Sequence, residues 1–218
     1  MVFRPAPPKA PISNETSANC KLYASSAECN ALDICRAIAS VASETGDALE
    51  IASGTGQHIV TFGLAMPNIH WHPSEIDIRR HASIKAYITE SGLTNIAAPI
   101  TLNATQTEWH KEIHPKNLVT LANLLHLISK QEAKILITEA AKILLKDGVL
   151  LLYGPFKRNG KLTSKGDVIF DAKLRAQNRD TGYKDDKWIT EAAKNAGLSP
   201  KTTINMPANN LAFVFTKS

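Results

Sequence analysis

Cysteine is scarce in this sequence of 218 residues. The three cysteines, Cys20, Cys29 and Cys35, are odd in number and form no C-x-x-C pair. We therefore expect neither a disulfide framework nor a cysteine metal site. No apolar run approaches the roughly 18 residues that a membrane helix needs, and the first residues lack the apolar segment of a secretory signal. These absences predict a cytoplasmic protein that does not insert in a membrane.

Long basic runs are missing as well. The formal net charge is +5, but the lysines and arginines are scattered along the chain. This distribution argues against a nucleic-acid partner. Hydrophobic residues make up 44% and charged residues 21%, which are proportions typical of soluble globular proteins.

The chain divides into a short tail and one domain. Residues 1–20 are rich in proline and poor in large apolar side chains, which predicts a flexible tail. In residues 21–218, helical periodicity is expected over 26–43, 57–65, 79–91, 131–145 and 185–196, and apolar strands over 48–51, 68–73, 95–102, 117–123, 149–153 and 211–215. This alternation predicts an α/β fold with a mostly parallel sheet and helices on both faces.

A glycine-rich turn, residues 50–56 (EIASGTG), follows the first predicted strand. Gly54 and Gly56 allow a positive φ and a close approach of backbone to a ligand, and the next helix begins with free N–H groups. A dinucleotide fingerprint needs a third glycine where Ile59 stands. Glu50 would repel a pyrophosphate but can accept a hydrogen bond from an ammonium group. The turn therefore favours S-adenosylmethionine (SAM) over NAD.

An acid just beyond the second strand supports binding of a nucleoside. Glu75 lies about 20 residues after the glycines, where a carboxylate can bind both ribose hydroxyls. Asp77 is the neighbouring alternative.

Several segments resemble one known family: LEIASGTGQH (49–58), WHPSEID (71–77), ANLLHLIS (122–129), YGPFKRNGK (153–161), FDAKLRAQNRDTG (170–182) and MPANN (206–210). They are similar to the DUF938 family, the methyltransferase-like protein 26 family, over about residue 22 to the last residue. The resemblance implies a Rossmann-like class I methyltransferase with a seven-stranded, mostly parallel sheet. It also implies transfer of a methyl group from SAM to an acceptor.

The same resemblance assigns the cofactor contacts. The expected set is Glu50, Ala52, Ser53, Gly54 and Gly56 at the methionyl end, Glu75 or Asp77 at the ribose, and Asn103, Ala104 and Asn123 around the rest of the cofactor. Asn103 replaces the aspartate of the family pattern L-D-V-T, and its carbonyl oxygen can still accept from an adenine N–H. Trp109 is expected either to cover the adenine or to pack in the core.

The methyl acceptor is expected at the ends of the later strands. His126 follows the fourth strand and is the candidate general base. Tyr153 follows the fifth strand and could face the sulfonium through cation–π attraction. The candidate substrate contacts are Asn30, Tyr153, Phe156, Lys157, Asn209 and Asn210. Asn30 belongs to the segment Glu28-Cys29-Asn30, where the family pattern reads E-R-N, and Thr181-Gly182 replaces a family W-G. His58 is expected to pack rather than to catalyse.

Other readings of the sequence stay open. The histidines His70, His72, His110 and His114 lack a carboxylate or cysteine at convincing spacing, so no metal is expected. The leading hypothesis is methyl transfer from SAM to the S, N or O atom of a small molecule, by a monomer or homodimer. The alternatives are a non-catalytic binding protein on the same fold, a protein or RNA methyltransferase, and an NAD(P) oxidoreductase.

Overall fold

The computed structural model describes residues 20–218, so the predicted tail lies outside the described residues except for Cys20. The helices are α1 (Ser25–Ala39), α2 (Gln57–Ala65), α3 (Ile78–Ser91), α4 (Lys130–Ile143), α5 (Lys165–Gln177) and α6 (Asp186–Asn195). The strands are β1 (Gly46–Ile51), β2 (Ile69–Pro73), β3 (Lys116–Ala122), β4 (Leu144–Pro155), β5 (Leu198–Asn205) and β6 (Asn210–Lys217). Two short 3-10 helices, Trp109–Glu112 and Leu125–Leu127, flank β3.

The six strands form one sheet in the order β2-β1-β3-β4-β6-β5. β2, β1, β3 and β4 are parallel, whereas β6 runs antiparallel to both β4 and β5. The predicted α/β fold with a mostly parallel sheet is confirmed. Because parallel strands end at the same edge, the turns after β1, β2, β3 and β4 lie side by side.

The strand expected over residues 95–102 is not formed, and the sheet does not reach the seven strands that the resemblance implied. Residues 95–102 run beside β2, but they make only two isolated bridges, Trp71 with Ile96 and Ser74 with Ile100. Pro99 lies between these bridges and has no N–H to donate, which interrupts the ladder. The sheet of the described residues therefore has six strands, and an irregular segment covers its β2 edge.

Apolar residues cover both faces of the sheet. On one face, Ile34 and Ile38 of α1, Phe62 of α2 and Ile84 of α3 pack against buried residues such as Trp71. On the opposite face, α4 and α6 contribute the buried residues Leu136, Ile137, Ala140, Ile189 and Ala193. Strand residues alternate between these two faces, so the sequence parity within a strand decides which layer a side chain joins.

The helix ends follow the local sequence. Asp77 caps α3 by accepting a hydrogen bond from the backbone N–H of Arg79, and Gly92 ends this helix with a φ of 66°. Ser129 and Glu132 form a reciprocal capping box at the start of α4. None of the described helices is both long and apolar enough to cross a membrane.

Candidate functional site

The turn after β1 has an unusual backbone. Ala52, Gly54 and Gly56 have φ values of 56°, 61° and 97°, and left-handed backbone costs a non-glycine residue roughly 1–2 kcal/mol. The turn is tied to β2, since the N–H of Ser53 donates to the carbonyl of Ser74 over 2.8 Å. A strained, well-anchored turn at the carboxyl edge of a parallel sheet is a typical ligand site.

The two glycines of the turn have different neighbours. A Cβ on Gly56 would lie 2.8 Å from Cα of Ile84, so this glycine lets the turn pack against the backbone of α3. A Cβ on Gly54 would meet Arg80 Nη1 at 3.6 Å and the carbonyl oxygen of Ala52 at 3.9 Å, both ordinary contacts. Arg80 is a basic neighbour of the turn that the sequence analysis did not single out. Its buried Nε makes no hydrogen bond within the described structure and lies 3.9 Å from Asp77 Oδ2.

Glu50 is a buried carboxylate, only 2% exposed, at the end of β1. Its Oε2 has no hydrogen-bond partner among the described residues. Burial raises the pKa of Glu50 to about 7, a hydrogen bond from Ser53 opposes this shift, and the nearby charge of Glu75 adds to it. A buried carboxylate without a partner lowers the stability of the fold. A cationic group bound at Oε2 would offset this cost, so its binding there would be favourable.

Glu75 and Asp77 lie next to the turn in different settings. The two carboxylate oxygens of Glu75 accept backbone N–H groups, Oε2 from Gly54 at 2.9 Å and Oε1 from Asp77 at 3.0 Å. Asp77 caps α3 and pairs with Arg79, and the hydrogen bond from Arg79 is the main reason that the pKa of Asp77 falls to about 2. Both acids are therefore engaged, Asp77 with a charged side chain and Glu75 only with backbone N–H groups.

In residues 103–105, which are expected around the adenine, polar groups already have hydrogen-bond partners within the protein. The Asn103 Oδ1 accepts hydrogen bonds from the N–H of Thr105 at 3.1 Å and from its hydroxyl at 2.7 Å. The oxygen that was expected to accept from adenine therefore already has two donors. The carbonyl of Ala104 accepts from the indole N–H of Trp109 at 3.2 Å, and Trp109 is 5% exposed within the core. Of the two roles considered for Trp109, the structure shows packing.

A second polar cluster lies on the same face of the sheet as Glu50, two strands away. The Tyr153 oxygen accepts hydrogen bonds from the side-chain amides of Asn30 and Asn210, the latter at 3.0 Å. The Asn30 Oδ1 lies 2.7 Å from Nε2 of His58. Burial lowers the pKa of His58 to about 4, so this ring is neutral at physiological pH. Three predicted substrate contacts, Asn30, Tyr153 and Asn210, are thus in one network.

His58, which the sequence indicates to be a packing residue or a support for a site residue rather than a catalyst, belongs to this cluster. It does pack, since its ring stacks on Phe62 at a centroid distance of 5.7 Å. It also fixes the amide of Asn30. The available sequence signal was its position at the start of the helix after the glycine turn.

His126, the predicted base, lies in the 3-10 helix after β3. Its ring packs against Phe170 and Tyr183, at centroid distances of 5.7 and 6.1 Å, and makes no hydrogen bond with a described residue. Burial lowers the pKa of His126 to about 4, so its ring is neutral at physiological pH. Asn123 precedes it with a φ of 56°, and its N–H donates to the carbonyl of Tyr153 at 3.0 Å.

The other predicted substrate contacts do not join this cluster. Phe156 is 2% exposed on the opposite face, where it meets Phe213 edge to face at 4.9 Å, and its role as a substrate contact stays a prediction. Lys157 pairs through its backbone with Lys184 and Asp186. Asn209 is exposed in the turn before β6, with its carbonyl 3.4 Å from Arg158 Nη2.

The sheet order and the helices on both of its faces define a Rossmann-like α/β fold, with the glycine turn and its neighbouring acids at the carboxyl edge of the sheet. The chain belongs to the family described as "Protein of unknown function (DUF938)", whose sequence model matches residues 21–217. The family resemblance drawn from the sequence segments is confirmed.

Several solved methyltransferase structures share the fold. An O-methyltransferase family protein from Burkholderia thailandensis matches with a TM-score of 0.75 at 16% identity, over 88% of this chain and 56% of that one. An O-methyltransferase family 2 protein from Planctomyces limnophilus, in complex with apigenin, gives 0.74 at 14%, over 88% and 60%. Human N-acetylserotonin methyltransferase, in complex with SAM, gives 0.72 at 11%, over 88% and 53%. This chain therefore spans under two thirds of the length of each, and the likeness is one of fold.

Proposed function

We propose that this protein binds SAM at the turn after β1 and transfers its methyl group to an S, N or O atom of a small molecule. The observation that carries the proposal is the unpartnered Oε2 of Glu50, buried beside a left-handed glycine turn. SAM carries an ammonium group that would pair with this oxygen. A dinucleotide would instead bring a pyrophosphate to a buried acid, which is unfavourable.

The neighbouring residues fit the rest of the cofactor. The guanidinium of Arg80 beside Gly54 offers a cation for the carboxylate of the methionyl group. Glu75 is held by two backbone N–H groups and keeps lone pairs for ribose hydroxyls. The adenine would be held mainly by shape and by backbone groups near Ala104, since the side-chain oxygen of Asn103 already has two donors.

The Tyr153 cluster is our candidate for the acceptor site. Its oxygen accepts two amide N–H groups, and its own O–H has no acceptor among the described residues. This hydrogen is therefore available to a polar atom of a bound molecule. Methyl transfer is an in-line displacement that depends mainly on alignment of the attacking atom, so a fixed donor of this kind would orient the acceptor. His126, neutral and without a hydrogen bond, is the proposed base for acceptors that must lose a proton.

The test is calorimetric titration of the protein with SAM and with S-adenosylhomocysteine, followed by a screen of small thiols, amines, phenols and acids for formation of the latter. The proposal requires both binding and turnover. Binding without turnover on small molecules would favour a non-catalytic binding protein or a protein or RNA methyltransferase. Absence of SAM binding by the folded protein would refute the proposal. A cytoplasmic location remains a prediction of the sequence.

Glu75→Gln is expected to weaken SAM binding about tenfold, because a charge-assisted hydrogen bond to a ribose hydroxyl contributes roughly 1.5 kcal/mol or more. Asp77→Asn is the matched control. It should leave SAM affinity unchanged and lower the free energy of unfolding by up to about 1 kcal/mol, since the cap of α3 is weakened. Calorimetry and urea denaturation measure the two effects. The opposite pattern of affinities would move the ribose role to Asp77.

Tyr153→Phe is expected to slow methyl transfer about tenfold to a hundredfold while SAM affinity stays the same, because the lost hydroxyl orients only the acceptor. Turnover with the acceptor found in the screen gives the measurement. Tyr87→Phe serves as the control, since that hydroxyl donates to the carbonyl of Leu22 and makes no hydrogen bond with the Tyr153 cluster. Equal turnover by Tyr153→Phe and the wild type would remove Tyr153 from the acceptor site.

A further inference from the structure

A cluster of metal-ligating side chains lies at the amino-terminal ends of the parallel strands, away from the turn after β1. His70 and His72 are two residues apart on β2, on the face opposite to buried Trp71. Asp47 of β1 pairs in register with His70. Because side chains alternate along a strand, the two imidazoles and the carboxylate share one face of neighbouring strands.

The ligand atoms of this cluster lie close to the separations that a metal ion requires. His72 Nε2 lies 2.7 Å from Asp47 Oδ1, and His70 Nδ1 lies 3.6 Å from the same oxygen. The three ligand atoms all lie within 4.8 Å of one another. A tetrahedral ion with bonds of about 2.0–2.2 Å holds its ligand atoms a little over 3 Å apart, so small side-chain rotations would suffice.

We propose that Asp47, His70 and His72 bind a divalent first-row transition metal ion, with Zn²⁺ as the best match. Two imidazoles and one carboxylate suit such ions better than Mg²⁺ or Ca²⁺, which prefer oxygen ligands. The side chains of His70 and Asp47 are about half exposed, so water can complete the coordination.

The sequence predicted no metal because the histidines lack a carboxylate or cysteine at a convincing spacing along the chain. The acid comes from the neighbouring strand, and only the register of β1 with β2 brings it to them. The site is separate from the residues proposed to hold SAM. Its bound ion would cross-link β2 to β1.

Lys116 is the existing cationic neighbour of this cluster. Its Nζ lies 3.9 Å from Asp47 Oδ1, its side chain is 4% exposed, and burial lowers its pKa. A metal ion would compete with this ammonium for the carboxylate. Lys116→Met should therefore bind the ion about tenfold more tightly than the wild type, because one repulsive charge is removed.

The test is titration of the whole protein with Zn²⁺ in a calorimeter, with Co²⁺ as a spectroscopic probe. We expect one equivalent to bind, and Co²⁺ to show d–d bands without the thiolate charge-transfer band that a cysteine ligand gives. His72→Ala and His70→Ala should each weaken binding at least about tenfold. His114→Ala, at an exposed histidine outside the cluster, should bind like the wild type.

The exposed cysteines need a control of their own. Cys20→Ser combined with Cys29→Ser should leave the affinity unchanged, since neither belongs to the cluster. Circular dichroism of every variant checks that it is folded. The proposal is overturned if the wild type fails to bind Zn²⁺, or if the double variant His70→Ala, His72→Ala binds it equally well. Neither result would bear on SAM binding.

Discussion

Replacing Glu50 by glutamine is expected to weaken SAM binding at least about a hundredfold and to stabilise the ligand-free protein above pH 7. The affinity falls because a buried charge-assisted hydrogen bond to the ammonium, worth roughly 3 kcal/mol, is lost. The stability rises because the wild type must ionise a buried carboxylate that has no partner for Oε2. Calorimetry with SAM and urea denaturation at several pH values measure the two effects.

The sign of the pH effect follows from the two pKa values of Glu50. In the unfolded chain the carboxyl ionises near 4.5, whereas in the folded protein it keeps its proton up to about 7. The folded state therefore holds more protons between these values, and stability falls as pH rises through this window. Above it the ionised Glu50 costs on the order of 3 kcal/mol. The glutamine variant escapes this cost, so the difference between the two proteins should grow between about pH 4.5 and pH 7 and then stay constant.

Glu139→Gln is the matched control, since Glu139 is equally buried but paired. Its carboxylate accepts from His110 Nδ1 at 2.5 Å and from Lys142 Nζ at 2.7 Å. Loss of the negative charge that these two groups contact should destabilise the protein and leave SAM affinity unchanged. If Glu50→Gln binds SAM as tightly as the wild type, Glu50 does not hold the ammonium. If it shows the pH profile of the wild type, Glu50 is not the group that ionises in this window.

Gly56→Ala is expected to lower the free energy of unfolding by about 3 kcal/mol. Two costs add, because the new Cβ would lie 2.8 Å from Cα of Ile84 and because a φ of 97° disfavours alanine. The contact atom belongs to the backbone of α3 and cannot rotate away. Urea denaturation with comparison of midpoints and slopes gives the measurement.

The control for Gly56 is Gly92→Ala. Gly92 also has a positive φ, 66°, but a Cβ there would meet no atom within 4 Å. Its substitution should cost only about 1 kcal/mol, which is the conformational part. Equal losses at the two positions would show that close packing of the turn on α3 is not what makes Gly56 necessary.

The alternation of elements was readable from the sequence because it depends on local patterns. The helix expected over 57–65 has these bounds in the structure, since it follows a glycine turn and carries a clear apolar face. β5 was missed because its residues are mostly exposed and include Pro200, so no apolar pattern marks it. α5 was missed because Val168, Ile169 and Phe170 are consecutive and exposed, which obscures the helical period.

The candidate site was readable only in part. Glu50 and Glu75 could be proposed from the sequence because they stand at fixed distances from the glycine turn. Phe156 lies in the core layer opposite to that of Tyr153, together with Leu150 and Leu152 of β4, because side chains alternate along the strand. The side-chain oxygen of Asn103, which was expected to accept from adenine, instead accepts a hydrogen bond from the backbone N–H of Thr105. The cluster of Asp47 with two histidines depends on strand register, which no single segment reveals.

The position of β6 has a consequence for how the protein is built on the ribosome. β6 follows β5 in the chain, yet it lies between β4 and β5. The groups proposed to hold the cofactor come largely from residues 50–80, whereas the hydroxyl of Tyr153 accepts its hydrogen bond from Asn210 at the start of β6. A nascent chain would thus have the cofactor residues before those of the proposed acceptor site. The hydrogen bonds of Tyr153 would be complete only after β6 has been synthesised.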